Sequence, residues 1–182
     1  MIVTQTSIPD VRLVQPAVHG DARGFFVETW HEARYRASGI CGPFVQDNHS
    51  RSVRHTLRGL HYQVRQPQGK LVRAALGAIF DVAVDLRRSS PTFGRWVGAV
   101  LTDENHHQLW VPPGFAHGFY VLSDRADLNY KCTALYAAEH DRALRWDDPD
   151  VAIEWPLAAA APPLLSAKDA AAPGLRDAEV FP

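Results

Sequence analysis

The sequence predicts a single all-β domain, built as an antiparallel sandwich or barrel. The chain has 182 residues, of which 46% are hydrophobic and 21% charged, and this size and balance suit one domain that closes a core. Short runs that alternate apolar and polar residues recur along the chain, with turn residues between them. Long amphipathic helical patterns are rare. Many short strands at this spacing are typical of a sandwich or barrel.

The predicted strands follow one another at short intervals. In chain order they are residues 11–18, 43–47, 57–64, 70–77, 78–87, 95–102, 107–113, 117–123 and 127–136. Turn-forming residues separate them at 67–69, Gly77, 89–91 with Gly94, 112–114 and Asp124. A short helix is predicted over 31–38, ended by Gly39, and another short helix or turn is predicted after Ala137. We predict one domain over 1–182, with the Ala/Pro-rich segment 157–182 as an irregular cover.

Charge, cysteine content and hydropathy exclude several classes of function. The 19 basic and 20 acidic residues give a net charge of -1, so no basic field is available to attract nucleic acid or an anionic membrane. Cys41 and Cys132 lie far apart in the sequence, and we expect two free thiols in a reducing cytoplasm. The N-terminal residues lack the pattern of a signal peptide, and no segment approaches the ~20 apolar residues of a membrane span. We therefore expect a cytoplasmic protein.

Two strands carry polar residues on one face where a core strand would be apolar. In 57–64, Gly59, His61 and Gln63 share one face, because side chains alternate along a strand. In 78–87, Asp81 shares its face with Ala83 and Asp85. This polar set contains few of the Lys and Glu residues that are typical of a solvated surface. It fits the lining of a cavity inside a barrel, although periodicity leaves a solvated outer face open.

Blocks distributed over nearly the whole chain carry a resemblance to a known family. They are HGDARGFFVETW (19–30), FVQDNHSRS (44–52), LRGLHYQ (57–63), QGKLVR (68–73), FDVAVDLRRSSPTFGRW (80–96), NHHQLWVPPGFAHGFYVLS (105–123), NYKC (129–132), RWDDPDVAIEWP (145–156) and LSAKDAAAP (165–173). Together they resemble dTDP-4-dehydrorhamnose 3,5-epimerases. The resemblance implies a cupin-type jelly-roll fold, a homodimer with a strand exchanged near the N-terminus, and a site in the barrel mouth. It also implies that no metal and no organic cofactor is required.

The implied reaction converts dTDP-4-dehydro-6-deoxy-D-glucose to dTDP-4-dehydro-L-rhamnose, in dTDP-L-rhamnose synthesis for cell-surface polysaccharide. The hydrogens at C3 and C5 are acidic because each lies next to the C4 ketone. Removing one requires a base and a donor or cation at the ketone oxygen, and inversion requires an acid on the opposite face. The resemblance assigns the base to His61, whose imidazole titrates at about 6.5 when unperturbed. It assigns the carboxylate that orients this ring to Asp169, while Asp81 is an alternative on the residues alone.

The resemblance also assigns an acid, an electrophile and a set of binding residues. Tyr130 matches the proton donor, and we place the ammonium of Lys70 at the C4 oxygen because it offers a compact charge. Tyr136 is expected to stack on thymine, and arginines are expected to bind the diphosphate through paired hydrogen bonds. The residues that match substrate-binding positions are Arg23, Glu28, Gln46, Asp47, Asn48, Arg58, Lys70, His117, Tyr136, Asp141 and Lys168.

Departures from the family pattern concern loops near the expected sugar site. The turn between His61 and Lys70 is about one residue shorter than the family leads us to expect, Leu135 stands where another tyrosine is frequent, and Asp141 replaces a usual glutamate. They leave open a mono-epimerase acting at C3 or C5 only.

Two other functions fit the sequence less well than an epimerase does. One is a metal-dependent cupin, because VPPGFAH at 111–117 resembles the second cupin motif. Against it, the same-face neighbour of His61 is Gln63, which is a poor metal ligand, and the adjacent His106 and His107 cannot both point inward. The other is a nucleotide-sugar binding barrel without activity, which would lack the base or the acid.

Overall fold

Two antiparallel β-sheets face each other in the computed structural model, which describes residues 1–158 and 161–182. The first sheet contains, in spatial order, β1 (Ile2–Gln5), β2 (Arg12–Gln15), β10 (Gln108–Val111), β7 (Lys70–Leu76), β12 (Arg125–Cys132) and β5 (Gln46–Val53). The second contains β13 (Asp141–Ala143), β6 (Leu57–Gln63), β11 (Phe115–Val121), β8 (Ala78–Asp85) and β9 (Trp96–Thr102). A separate hairpin pairs β3 (Val18–Asp21) with β4 (Gly24–Val27). The all-β prediction is confirmed.

The main core fills the space between the two sheets. β7, β10 and β12 supply one side, and β8, β9 and β11 supply the other. Within β8, Ile79 and Ala83 point into this core, whereas Val82 and Val84 point away from it into a second apolar cluster. Both faces of β8 are therefore buried, and this explains its nearly continuous apolar sequence.

Chain segments outside the sheets cover their outer faces. Helix α1 (Glu32–Ala37) packs Tyr35 against Val14 and Trp110 on the first sheet. The C-terminal segment packs residues such as Trp155 and Phe181 against the outer face of the second sheet. Among the described residues, no helix is long and apolar enough to cross a membrane.

Most predicted elements agree with the structure, and the exceptions have local causes. The predicted strand 11–18 was wrong as a single element, because Pro16 separates β2 from β3 and has no N–H to donate. The strand predicted at 43–47 begins later and is the polar β5. The predicted helix at 31–38 is α1, and the turn after Ala137 is a 3₁₀ turn at Ala138–His140.

The cover at 157–182 contains an additional short helix, α2 (Ala167–Ala170). It lies close to β6, and the chain just before it is anchored by an isolated parallel bridge between Leu164 and Thr56. Residues 159 and 160 of the predicted cover lie outside the described part of the chain. The cover therefore does more than shield the sheet, because α2 brings a polar segment against β6.

Candidate active site

A cavity of about 360 Å³ opens where β6 and β12 end and β7 begins. Strands from both sheets contribute to its walls. It is lined by Gln46, Asn48, His61, Tyr62, Gln63, Gln68, Lys70, Tyr130, Tyr136, Asp141 and Lys168. Eight of the sequence-predicted site residues are in this group, so the structure brings together residues that lie more than a hundred positions apart.

His61 projects from β6 and is held by a buried carboxylate. Its Nε2 lies 2.6 Å from Oδ1 of Asp169, a residue with only 2% of its surface exposed. Ser166 caps α2 by accepting a hydrogen bond from the backbone N–H of Asp169, and this cap fixes the segment that carries the carboxylate. Because Nε2 is engaged, Nδ1 is the ring nitrogen that remains available for a proton from a bound ligand.

The charge state of Asp169 follows from two opposing effects. Burial raises its pKa, but the hydrogen bond from His61, the charge of His61 and the bonds from Ser166 and Gly59 together lower the pKa below its usual 3.8. Asp169 is therefore ionised at neutral pH and can stabilise a protonated imidazole. The alternative orienting residue, Asp81, instead contacts His117 at 2.8 Å, so Asp169 is the carboxylate that touches His61.

Gly59 explains how β6 approaches its neighbour so closely beside His61. A Cβ at Gly59 would lie 2.5 Å from Cα of Gly118 on β11, and its φ of 127° is disfavoured for other residues. The register between β6 and β11 also shifts at this point. The sequence RGLHY thus combines a close strand contact with a histidine directed at the cavity.

Tyr130 faces His61 from the opposite sheet. It lies on β12, where it shares the inward face with Leu128 and packs against the main core. Burial is the main reason that its pKa is raised above the usual 10, with a further contribution from Cys132, while Arg58 opposes the shift. The phenol therefore keeps its proton at neutral pH and is available as a donor.

Lys70 lies at the start of β7, beside Cys132 of β12, and is only 9% exposed. Its Nζ lies 3.5 Å from the carbonyl oxygen of His61, and the described residues place no carboxylate within salt-bridge distance of it. Burial lowers its pKa, and the nearby acidic groups Cys132, Asp141 and Asp81 partly oppose that shift. An anion that forms inside the cavity could therefore pair with the Lys70 ammonium, which has no carboxylate partner among the described residues.

Three polar side chains meet at the mouth of the cavity. The hydroxyl of Tyr136 donates to Oδ2 of Asp141 at 3.1 Å, and Lys168 forms an ion pair with the same carboxylate. Arg58 lies in an adjoining depression that shares His61 and Lys168 with the cavity. Basic groups therefore extend from the cavity mouth along the surface, in an arrangement suited to phosphate oxygens.

Four further predicted binding residues lie outside both the cavity lining and the adjoining depression of the described chain. Asp47 points to the opposite face of β5 and pairs with Lys131 at 2.8 Å, because it alternates with Gln46 and Asn48. His117 is buried against Asp81. Arg23 lies on the exposed β3–β4 hairpin and Glu28 directly follows it, and they pair with Asp21 and Arg34 respectively.

Three residues of the cavity lining were not predicted as site residues: Tyr62, Gln63 and Gln68. Alternation placed Gln63 on the polar face, but nothing in the sequence indicates its hydrogen-bond partners, which lie up to 74 positions away.

Among the described residues, no group of three or more His, Cys, Asp or Glu side chains is arranged to hold a metal ion. The chemistry of the cavity is that of a base, an acid and a buried cation.

Comparison with known proteins identifies the family. The sequence model of the dTDP-4-dehydrorhamnose 3,5-epimerase family matches residues 5–177. The chain belongs to this family. It is 57% identical to the dTDP-4-dehydrorhamnose 3,5-epimerase of Pseudomonas aeruginosa, over 100% of both chains. It is 52% identical to that of Salmonella typhimurium, over 98% of this chain and 97% of the relative.

Solved structures of epimerases agree with the fold. The dTDP-6-deoxy-D-glucose-3,5-epimerase of Legionella pneumophila, solved in complex with dTDP-4-keto-L-rhamnose, superposes with a TM-score of 0.95 at 50% identity, over 98% of this chain and 94% of that one. The predicted cupin-type jelly roll is thereby confirmed. A 3'-monoepimerase of Streptomyces bikiniensis, in complex with dTDP-quinovose, is also similar, with a TM-score of 0.88 at 35% identity over 94% and 87% of the two chains. The fold thus supports both double and single epimerisation.

Proposed function

We propose that this protein epimerises dTDP-4-dehydro-6-deoxy-D-glucose at C3 and C5 to give dTDP-4-dehydro-L-rhamnose, in dTDP-L-rhamnose synthesis. The observation that carries the proposal is the placement of His61 and Tyr130 on opposite sheets around one cavity. Inversion of a carbon requires removal of a proton from one face and its return to the other. The family and the relatives that share it support the choice of substrate.

The first step is removal of a proton by His61. Nδ1 takes the proton from the carbon next to the ketone, and the electron pair moves to the ketone oxygen to give an enolate. Asp169 stabilises the resulting imidazolium and keeps the ring oriented. Lys70 stabilises the enolate oxygen, and its charge acts strongly because the ammonium is buried.

The second step returns a proton to the opposite face from Tyr130. A phenol with a raised pKa is a weak acid, but an enolate carbon is strongly basic and accepts its proton. Each inversion leaves His61 protonated and Tyr130 ionised. Both groups are restored by proton exchange with solvent, and His61, whose side chain is 33% exposed, is accessible for that exchange.

Substrate binding involves the mouth of the cavity and a second copy of the chain. Arg58 and Lys168 would contact the diphosphate, Gln46 and Asn48 the nucleotide side, and the ring of Tyr136 the thymine. The β3–β4 hairpin leaves Phe25 61% and Phe26 69% exposed, and adjacent exposed apolar side chains of this kind mark an interaction surface. In a homodimer this hairpin would bury those rings and bring Arg23 and Glu28 to the neighbouring cavity.

The location we propose is the cytoplasm, where the nucleotide-sugar substrate would be made. Both cysteines are free, Cys41 exposed and Cys132 buried, as expected in a reducing compartment.

One experiment tests the reaction and its extent. The protein is incubated with dTDP-4-keto-6-deoxyglucose in deuterated water, and deuterium is counted at C3 and at C5. We expect one deuteron at each carbon of the product. No deuterium at either carbon would refute the proposal.

The second candidate is a mono-epimerase, favoured by the similarity to the 3'-monoepimerase and by the loop departures near the sugar. Deuterium at one carbon only would establish it in place of the double epimerase.

A further inference from the structure

Residues 134–137 connect β12 to the 3₁₀ turn and carry Tyr136, yet they belong to no strand or helix. Their backbone is held mainly by side-chain amides. Gln68 donates to the carbonyl of Ala134 at 2.8 Å, and Gln63 donates to the carbonyl of Leu135 at 3.3 Å. The carbonyl oxygen of the Gln46 side chain accepts from the N–H of Tyr136 at 2.8 Å, and that of Gln63 accepts from the N–H of Ala137 at 2.9 Å.

The three glutamines come from three different parts of the cavity wall. Gln46 begins β5, Gln63 ends β6, and Gln68 lies in the connection from β6 to β7. We call these residues the glutamine clamp. Gln63 is the central member, because its amide also donates to the carbonyl of Gln66 at 2.9 Å and so joins two loops of the cavity mouth.

Gln63 has little hydrogen-bonding capacity left for a ligand. An amide side chain offers two N–H donors and one oxygen, and in this residue both donors and the oxygen contact main-chain groups. The residue is only 3% exposed, and a buried amide whose groups are all satisfied stabilises one arrangement of its surroundings. Gln63 therefore lines the cavity but uses its side chain to hold the loops at Gln66 and at residues 135–137 in place.

Tyr136 depends on this support because its own side chain is weakly held. The residue is 57% exposed, and the hydroxyl contact with Asp141 is its one side-chain hydrogen bond among the described residues. Leu135 beside it is also exposed. The position of the ring is thus set by the backbone of 134–137, which the clamp fixes before a ligand arrives.

We propose that Gln63 is a positioning residue which, with Gln46 and Gln68, presents the Tyr136 ring at the cavity mouth and thereby sets the affinity for the nucleotide portion of the substrate. The inference rests on the proposed role of Tyr136 in nucleotide binding. A ring held ready needs no ordering on binding, so loss of the clamp weakens affinity. Proton transfer depends on His61 and Tyr130, and in the described part of the chain the clamp side chains make no hydrogen bond to either, so kcat is retained.

The test compares Gln63→Met, Gln68→Met and a matched control. Gln63→Met removes three hydrogen bonds to the main chain with little change of volume, whereas Gln68→Met removes one. Ser123→Ala is the control, because the hydroxyl of Ser123 also bonds the main chain of a turn, at Ala78 and Arg125, but at the opposite end of β12. We expect Gln63→Met to raise KM for the dTDP-sugar and the Kd for dTDP at least tenfold, with kcat within about threefold of wild type. Gln68→Met gives a smaller rise, and Ser123→Ala gives none.

Hydrogen exchange separates this inference from the proposed reaction. In the ligand-free protein, the amide of Ala137 is expected to exchange at least tenfold faster in Gln63→Met than in wild type, because it loses its acceptor. The amide of Tyr136 keeps Gln46 as its acceptor, so its exchange is expected to rise by a smaller factor. Unchanged exchange of the Ala137 amide in Gln63→Met, or a fall in kcat with KM and Kd unaltered, would overturn the clamp. If Gln63→Met does not fold, Gln68→Met carries the affinity comparison, in which KM and Kd must rise with kcat retained. Failure of the wild-type protein to turn over the sugar would refute the proposed reaction and leave the exchange result intact.

Discussion

Replacement of Asp169 by asparagine isolates the charge that supports the proposed base. The substitution keeps the shape of the side chain, and an asparagine oxygen can still accept a hydrogen bond from Nε2 of His61. The negative charge that stabilises the imidazolium is lost. Because Asp169 is buried and lies 2.6 Å from the ring, solvent can replace only part of the stabilisation that this charge gives.

The expected loss in kcat is about a thousandfold. General base catalysis contributes roughly 10²–10⁴-fold, and a thousandfold loss corresponds to about 4 kcal/mol at about 1.4 kcal/mol for each factor of ten. The side chain of His61 is 33% exposed, so water retains part of the stabilisation and the loss falls below the upper limit. Binding of dTDP is expected to change little, because Asp169 contacts the ring of His61 and not the cavity mouth.

The assay measures turnover and the rate of deuterium incorporation at C3 and C5 under single-turnover conditions. Asp150→Asn is the matched control, since Asp150 pairs with the exposed Arg176 on the C-terminal cover. Turnover of Asp169→Asn within threefold of wild type would refute the orienting role.

The dependence of protein stability on pH gives a second check of the Asp169 charge, with a defined sign. The lowered pKa of Asp169 makes its stabilising contribution complete above pH 3.8, and the contribution is lost as the pH falls through the lower folded-state pKa. The difference in unfolding free energy between wild type and variant should therefore shrink below about pH 4.

Three further predictions follow from the same geometry. Tyr130→Phe is expected to lose epimerised product more than deuterium exchange at the first carbon, because abstraction precedes reprotonation; equal losses would argue against the donor role. Lys70→Met is expected to lower kcat by roughly 10²–10³-fold while melting at or above the wild-type temperature. Burial lowers the pKa of Lys70, so its ammonium costs stability at neutral pH, and a lower melting temperature would contradict this. Asp85→Ala is expected to reduce the unfolding free energy in urea by about 3–5 kcal/mol, because Asp85 is buried and accepts bonds from Arg87, Ser90 and Thr92. Burial raises the pKa of Asp85, but those bonds together lower it to about 2. The deficit should therefore persist down to about pH 4 and narrow towards pH 2; a deficit that narrows already near pH 6 would contradict the assignment.

Alternation along strands made part of the site predictable. His61 is in a strand whose alternation the sequence defines, so the face that it shares with Gly59 and Gln63 was predicted. Periodicity left open whether that face lines a cavity, and the family resemblance supplied this expectation. The phase of Tyr130 was also right, because Leu128 shares its face. These residues are in strands whose apolar faces are strongly marked, where a shift of one residue would expose the core.

Other parts of the site depend on contacts that no local pattern encodes. β5 is polar on both faces, so its boundaries were misplaced, and Asp47 was grouped with its neighbours although it faces the other way. The partner of His117 is Asp81, which is 36 positions away. Arg23 lies on the exposed β3–β4 hairpin, outside the cavity lining, where it pairs with Asp21. The glutamine clamp joins segments that are far apart in the sequence and leaves no periodic signal.

Deuterium exchange in His61→Ala tests the central claim most directly. The variant is incubated with the dTDP-4-keto sugar in deuterated water, and dTDP binding is measured in parallel to establish that the cavity is intact. We predict no enzyme-dependent incorporation at C3 or C5, together with a Kd for dTDP near that of wild type. Incorporation at either carbon at close to the wild-type rate would show that another group removes the proton, and it would contradict the assignment of His61 as the base.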